Sequence, residues 1–280
     1  MKHWARILWL SALVLLCGCG VAGYKGAGGP GATGSGLPVP VPPDPTPHGV
    51  NIVSNWQFTT ASTVPGTPPL TIAGSISQSG SSVSGAVHVD GSNCFDRLAT
   101  MGLTGTLTGD NLSLASTSVA GQVVTFTGSI ANSAFTGTYT INGGCANGDQ
   151  GNVTGIEIGY IANILNGTFS TSGGGKFDVA GNMAQNSDAG PEGSFGITGT
   201  VTFTTPCFSS GTITPGAFPS GSFIMGTSVA LEIETGNGTL AFLGTLKPDT
   251  GEISGDYTVV GGTCDQSGTA LLVGSSPWDY

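Results

Sequence analysis

The sequence predicts an all-β protein made of two tandem antiparallel β domains that arise from an internal duplication. Apolar residues alternate with polar ones along the chain, which is the period of a half-buried strand. The composition, with 49 glycines and only 8% charged residues, disfavours helices and suits short strands joined by tight turns. The segment GTYTINGGC at 137–145 returns as GDYTVVGGTC at 255–264, which indicates a repeated unit.

Hairpin patterns follow one another through the first copy. The predicted hairpins span residues 73–89, 102–116 and 123–141. Turn-forming residues interrupt the alternation in each of them, and in the third the turn is Asn132-Ser133. No stretch of the folded part carries a convincing helical period, so an antiparallel all-β fold follows.

The two copies match at a series of positions that keep the same order. The matched pairs are Phe58 with Phe169, Gly74 with Gly181, Val83 with Ile197, Cys94 with Cys207, Phe126 with Phe242, and Tyr139 with Tyr257. They place the first β domain at residues 49–160 and the second at 161–274, followed by a short tail at 275–280.

Glycines within the strands favour barrels over two-sheet sandwiches. Gly128 and Gly137 share a strand face with Phe126 and Tyr139, where a side chain normally fills the core. A glycine there lets a strand bend sharply, or lets a ring pack flat over the backbone, and closing a barrel needs such bends. We therefore expect two small barrels, with sandwiches as the alternative.

The first twenty residues resemble the signal peptide and lipobox of bacterial lipoproteins. Lys2 and Arg6 precede an apolar run, and the run ends in Leu16-Cys17-Gly18-Cys19. The resemblance implies a signal peptide at residues 1–18, lipid attachment at Cys19 and, because Gly20 follows, export to the outer membrane.

A Gly-rich and then Pro-rich linker occupies residues 19–48 and would tether the folded part to the lipid. The expected location is therefore the bacterial outer membrane, on its periplasmic or cell-surface side. The mature region resembles bacterial surface lipoproteins that have no known activity.

The duplication also selects a cysteine pairing. Cys94 and Cys145 belong to the first copy, and Cys207 and Cys264 belong to the second, so each copy has one early and one late cysteine. We predict the disulfides Cys94–Cys145 and Cys207–Cys264, each closing its own domain. Without a Cys-x-x-Cys motif or a histidine near the late cysteines, we expect no metal here.

The charge balance and the scarce histidines argue against several functions. Removal of the signal peptide leaves Lys25, Arg97, Lys176 and Lys247 against 16 acidic residues, which disfavours nucleic acid as a partner. His88 is predicted to lie on an outer strand face, so a histidine-based nucleophilic mechanism has no candidate.

Neighbouring carboxylates offer no better catalytic candidate. Glu232 and Glu234 alternate with apolar residues and would share an outer face, whereas a glycosidase pair faces across a cleft at roughly 5–9.5 Å. We expect no catalytic residues and no cofactor.

The loop that follows Cys145 is rich in oxygen side chains. Asn147, Asp149 and Asn152 could ligate calcium, but their spacing is irregular, and Asn-Gly and Asp-Gly are ordinary turn formers. We therefore interpret the loop as a turn.

These patterns predict a surface-exposed lipoprotein with a non-catalytic binding role. The expected partner is a small ligand, a glycan or an envelope protein, with Trp56 and Trp278 as candidate stacking surfaces. The alternative is an envelope-structural or spacer protein without a ligand. A more distant possibility is an enzyme that uses carboxylates alone.

Overall fold

The computed structural model describes residues 50–159, 161–247 and 250–274. The predicted signal peptide, the linker with Cys19 and the C-terminal tail with Trp278 lie outside these residues. Both β domains belong to one compact unit of the chain. Among the described residues, no helix has the length and hydropathy needed to cross a membrane.

The first domain is a closed barrel of eight antiparallel strands, each paired with its neighbour in sequence and β8 paired with β1. The strands are β1 (Ser54–Ser62), β2 (Thr71–Ser79), β3 (Ser82–Asp90), β4 (Ala99–Thr108), β5 (Asn111–Ser116), β6 (Val123–Ala131), β7 (Ala134–Asn142) and β8 (Gln150–Ile158). This closure confirms the predicted barrel and excludes the sandwich alternative.

The second domain is a barrel of the same kind, with one strand position divided. Its strands are β9 (Ala162–Thr171), β10 (Lys176–Ala189), β11 (Phe195–Phe203), β12 (Ser210–Ile213), β13 (Phe223–Met225), β14 (Ser228–Thr235), β15 (Gly238–Lys247), β16 (Glu252–Val260) and β17 (Gln266–Gly274). The ring closes because β9 pairs with both β10 and β17. Strands β12 and β13 both pair with β11 and β14, and together they occupy the position that β4 fills in the first barrel.

Segment 214–222, which connects β12 to β13, is an insertion in the wall of the second barrel. In the first barrel the corresponding strand β4 runs without interruption. A short 3-10 turn at Pro191–Gly193 between β10 and β11 completes the described secondary structure.

Each barrel has its own core, built from the inward residues of the alternating strands. The largest fully buried side chains of the first barrel are aromatic: Trp56, Phe58, Phe126, Phe135 and Tyr139. In the second barrel five aromatic rings pack edge to face or stacked, with centroids 4.8–6.2 Å apart: Phe169, Phe177, Phe203, Phe208 and Tyr257.

The inward glycines serve the purpose that the sequence predicted. Gly128 and Gly137 are direct partners in the β6–β7 ladder, and the tip of the Phe135 ring lies over both of them. Gly244 and Gly255 form the same pair in the second barrel, where Phe242 supplies the ring. A side chain at any of these four positions would collide with the opposite backbone, and at Gly128, Gly137 and Gly244 it would also collide with the ring.

The strand register corrects one of the six sequence matches. Gly74 pairs with Trp56, and its counterpart Gly181 pairs with Leu165, so Trp56 corresponds to Leu165. Phe58 therefore corresponds to Gly167, and Phe169 occupies the place of Thr60. The predicted match of Phe58 with Phe169 is wrong by two residues because β9 and β10 are joined by a shorter loop than β1 and β2.

On the side of the first barrel, the contact between the two barrels involves the outer faces of β1 and β2 and the end of β3. Ala73 is only 1% exposed because it packs against the core cluster of the second barrel. The Asn55 side-chain amide donates to the Asn186 carbonyl at 3.0 Å, and the Gln57 amide donates to the Glu192 carbonyl at 2.9 Å. The second barrel is thus held to the first by packing and by hydrogen bonds.

Candidate functional site

Trp56 is part of the core of the first barrel. Its side chain is 1% exposed, its ring stacks with Phe58 at 5.8 Å, and its indole N–H donates to the Ile52 carbonyl at 3.0 Å. No face of this indole is open to a sugar, which corrects the prediction of a stacking surface at Trp56. The pattern Trp-x-Phe in β1 already carried the signal, since residues two apart in a strand share a face.

The four cysteines form two pairs at disulfide distance. The Cα atoms of Cys94 and Cys145 are 5.4 Å apart, and those of Cys207 and Cys264 are 5.7 Å apart. Each pair joins the loop that follows the third strand of its barrel to the loop before the last strand. Both pairs therefore lie at the equivalent end of their barrels and leave no thiol there for nucleophilic chemistry.

Asp149 takes part in a hydrogen-bond network at this end of the first barrel. Its carboxylate accepts from the Tyr139 hydroxyl at 3.0 Å and from the Ser62 hydroxyl at 2.5 Å. Asn147 accepts from the Gly143 N–H at 2.7 Å. These side-chain oxygens order the loop as a turn, in agreement with the interpretation from the sequence. No group of three potential metal-binding side chains occurs among the described residues.

Burial raises the pKa of the Tyr139 hydroxyl, and the nearby Asp149 carboxylate raises it further, against an opposing effect of the Ser62 hydrogen bond. Burial alone raises the pKa of Tyr257, its counterpart in the second barrel. Both hydroxyls therefore stay protonated at neutral pH, and the Tyr139 hydroxyl donates to the Asp149 carboxylate.

The remaining titratable candidates have structural partners. His88 lies on the outer face of β3, half-buried, with Nδ1 3.0 Å from the Leu98 carbonyl. Glu232 accepts from the Gly221 N–H at 3.0 Å, while Glu234 is exposed and accepts from the Thr239 hydroxyl at 3.0 Å. The two glutamates lie on one outer face, as predicted, and Glu232 anchors the inserted segment 214–222.

Open depressions mark the outer wall of the second barrel, with volumes of about 440, 530 and 590 Å³. The smallest is the most apolar and lies over β9, β10 and β17. Leu271 and Val273 line it and are 46% and 45% exposed. None of the described residues that line the three depressions is aromatic. Sequence reasoning missed this surface because Leu271 and Val273 are apolar like core residues. Only the strand register shows that they face outward.

The inserted segment carries an exposed aromatic ring at its tip. Phe218 is 41% exposed and contacts Phe223 edge to face at 5.9 Å. Its backbone N–H donates to the Ser194 hydroxyl at 3.1 Å, which ties the segment to the turn between β10 and β11. No sequence pattern predicted this feature.

No protein-family model and no curated protein matches the chain. Among solved structures, the chain is similar to a crystal structure named AttH from Nitrosomonas europaea, at 12% identity and a TM-score of 0.24. The alignment covers 85% of this chain and 98% of that protein. A likeness of this size carries no functional argument.

Proposed function

We propose that this chain is a lipid-anchored, non-catalytic envelope protein that binds another envelope protein through the outer wall of its second barrel. The observation that carries the proposal is the apolar depression around Leu271 and Val273 on a molecule whose barrel interiors hold large buried aromatic rings. Because bulky side chains occupy the interiors, a sizeable ligand has to meet the outer surface.

The chemistry of the surface favours a protein over a glycan. Leu271 and Val273 lie together in this depression, and Leu243 and Val260 elsewhere on the second barrel are 69% and 54% exposed. Contiguous exposed apolar residues are typical of protein interaction sites. A glycan site usually offers an aromatic platform, and the described lining residues of the depressions include none.

Lipid attachment at Cys19 is the second part of the proposal and rests on the lipobox resemblance. The variant Cys19→Ala should move the protein from the membrane fraction to the soluble fraction. Retention of this variant in the membrane fraction would argue against the anchor.

Site-specific photo-crosslinking in cells tests the binding surface. A photoreactive residue at Leu271 should give a discrete crosslinked species with one partner protein, whereas the same residue at the exposed Thr136 of the first barrel should not. Equal crosslinking at both positions would indicate non-specific proximity and contradict the proposed surface.

A glycan-binding screen of residues 49–280 covers the competing partner class. Saturable glycan binding without a protein crosslink would replace the protein partner by a glycan. The structural alternative is a spacer without a ligand, and the packed interiors and the contact between the barrels agree with this alternative as well. The spacer role would be supported if the photo-crosslinking gave no discrete species and the screen found no glycan binding.

A further inference from the structure

A row of apolar side chains crosses the outer wall of the second barrel. Leu243 on β15 pairs directly with Ala230 on β14, and Ala230 pairs with Phe223 on β13. The ring of Phe223 contacts that of Phe218, in segment 214–222, edge to face at 5.9 Å between centroids. Directly paired residues of antiparallel strands have neighbouring side chains on one face. These four residues, which we call the apolar row, therefore form one continuous feature.

Strand alternation places the apolar row on the outside of the barrel. Val229, Leu231 and Phe242, which flank members of the row in the chain, belong to the core cluster of the second barrel, and the members of the row do not. Leu243 and Phe218 are 69% and 41% exposed. Neighbouring apolar groups that remain in contact with water are typical of interaction sites.

Carboxylates border the apolar row. Asp256 on β16 pairs directly with Leu243 and is exposed, and Glu232 lies on the outer face of the adjacent strand β14. Among the described outward positions of β14, β15 and β16, only Lys247 is basic, and its ammonium group contacts the Glu252 carboxylate. The row therefore lies in a region of negative potential.

A partner has to contact this wall through side chains. Strand β14 pairs with β15 on one edge and with β12 and β13 on the other, and β15 pairs with β14 and β16. Because both edges of these strands are already paired, no further strand can add to them. From β13 to β16 the row and its acidic end span three inter-strand steps, about 14 Å. A helix of about ten residues has this length.

We propose that the apolar row is a docking surface for a basic, amphipathic segment of a partner protein. The apolar side chains of that segment lie on Leu243 and Phe218, and its lysine or arginine side chains meet Asp256 and Glu232. The row is a separate surface from the depression around Leu271, and the inference does not depend on the partner proposed there.

A second copy of this chain does not supply such a segment. The two barrels contain three basic residues, Arg97, Lys176 and Lys247. The Arg97 guanidinium lies 3.9 Å from the Asp90 carboxylate, and Lys247 contacts Glu252. An anionic lipid surface is disfavoured as well, because the carboxylates beside the row would repel its headgroups. The charges therefore favour a different protein with exposed basic residues.

Binding of a synthetic peptide tests the surface. The probe is an amphipathic peptide of leucine and lysine, followed by fluorescence anisotropy, and the Cys19→Ala chain is used so that no detergent competes for the peptide. The peptide should bind, and Leu243→Ser should weaken its binding about tenfold. Val64→Ser removes an exposed apolar side chain from the first barrel and should leave the affinity unchanged. Both variants should keep the parent's melting temperature, because both side chains are exposed.

Equal affinities of the parent, Leu243→Ser and Val64→Ser would overturn the proposal, and so would an equal loss in the two variants. A discrete crosslink from Leu271 together with an unchanged affinity of Leu243→Ser would leave the partner at the depression in place and remove only the apolar row. The two proposals can therefore fail separately.

Charge variants test the acidic border of the row. Asp256→Asn should weaken peptide binding several-fold and make it less sensitive to salt between about 0.05 and 0.5 M. Asp110→Asn removes an exposed carboxylate from the turn between β4 and β5 and should change neither property. A peptide of leucine and glutamate should not bind. If it bound as tightly as the leucine and lysine peptide, the charge complementarity and with it the proposal would be wrong.

Discussion

Gly137 shows how little space the inner face of a barrel strand leaves. A Cβ atom added to this glycine would lie 2.9 Å from the tip of the Phe135 ring and closer still to the backbone of Thr127 on the facing strand. Real Cβ atoms do not approach other heavy atoms so closely. The repeated motif that contains this glycine is therefore explained by packing.

We expect Gly137→Ala to lower the free energy of unfolding by about 1–3 kcal/mol, the usual effect of overpacking a core. Chemical denaturation followed by circular dichroism would measure it. Gly236→Ala is the matched control, because a Cβ atom there would meet no heavy atom within 4 Å. Because Gly→Ala by itself lowers the entropy of the unfolded chain and stabilises the folded state, an equal loss in both variants would show that the close approach is not its cause.

The buried tyrosines make the free energy of unfolding depend on pH in the alkaline range. Because burial raises the pKa of Tyr139 and Tyr257 in the folded protein, the unfolded chain loses these protons first, near the ordinary tyrosine value of about 10. The free energy of unfolding should therefore be unaffected by these groups at neutral pH and fall as the pH rises above about 10.

Denaturation midpoints measured between pH of about 8 and 11 would check this dependence. Tyr257→Phe removes one of the two groups and should make the decline shallower. A slope identical to that of the parent chain would mean that Tyr257 titrates equally in both states.

At the scale of elements, segment 214–222 is the main difference between the two barrels. It divides one strand position into β12 and β13 and is held on the outer wall by β14. The Glu232 N–H donates to the Ser222 hydroxyl at 2.7 Å, and the Glu232 carboxylate accepts from the Gly221 N–H at 3.0 Å. Glu232 therefore holds the end of the insertion through both its backbone and its side chain.

Glu232→Ala should increase amide hydrogen exchange in segment 214–222 on the order of tenfold, as expected when a charge-assisted hydrogen bond is lost. Glu234→Ala removes an exposed carboxylate two residues away on the same strand face and should leave this exchange unchanged. If the two variants behaved alike, the contact with Gly221 would not be what orders the segment.

At the scale of the whole molecule, the contact between the barrels buries part of the outer wall of the first barrel. Ala73 faces away from the interior of its own barrel, yet it is as buried as a core residue. Asn55, on the neighbouring strand, is 6% exposed, and its amide donates to the Asn186 carbonyl. The two barrels should therefore resist independent movement.

We predict that Ala73→Asp lowers the free energy of unfolding by about 3 kcal/mol, because it buries an unpaired charge between the barrels. Ala86→Asp introduces the same charge at an exposed outer position of the neighbouring strand β3 and should have little effect. Thermal unfolding of both variants would measure the difference. Equal melting temperatures would show that the barrels separate readily in solution.

Much of this architecture follows from patterns that act over short distances. The alternation around Phe126 and Tyr139 predicts their strands, and Asn132 and Ser133, with positive φ values of 51° and 58°, form the predicted hairpin turn. The duplication predicts which cysteines lie together, because each copy closes on itself. Strand period, turn chemistry and repetition can all be recognised without knowing which strands are neighbours.

The tertiary structure alone decided which faces are covered and which polar groups are satisfied. The sequence does not distinguish the buried Ala73 from the exposed Ala86, or the core residue Leu272 from the exposed Leu271 beside it, without the strand register. It also does not show that Gln266 occupies the place of Asp149, two residues before the glycine that pairs with the core tyrosine. The physical reason is that burial and hydrogen bonding depend on neighbours far apart in the chain, whereas strands and turns depend on residues close in sequence.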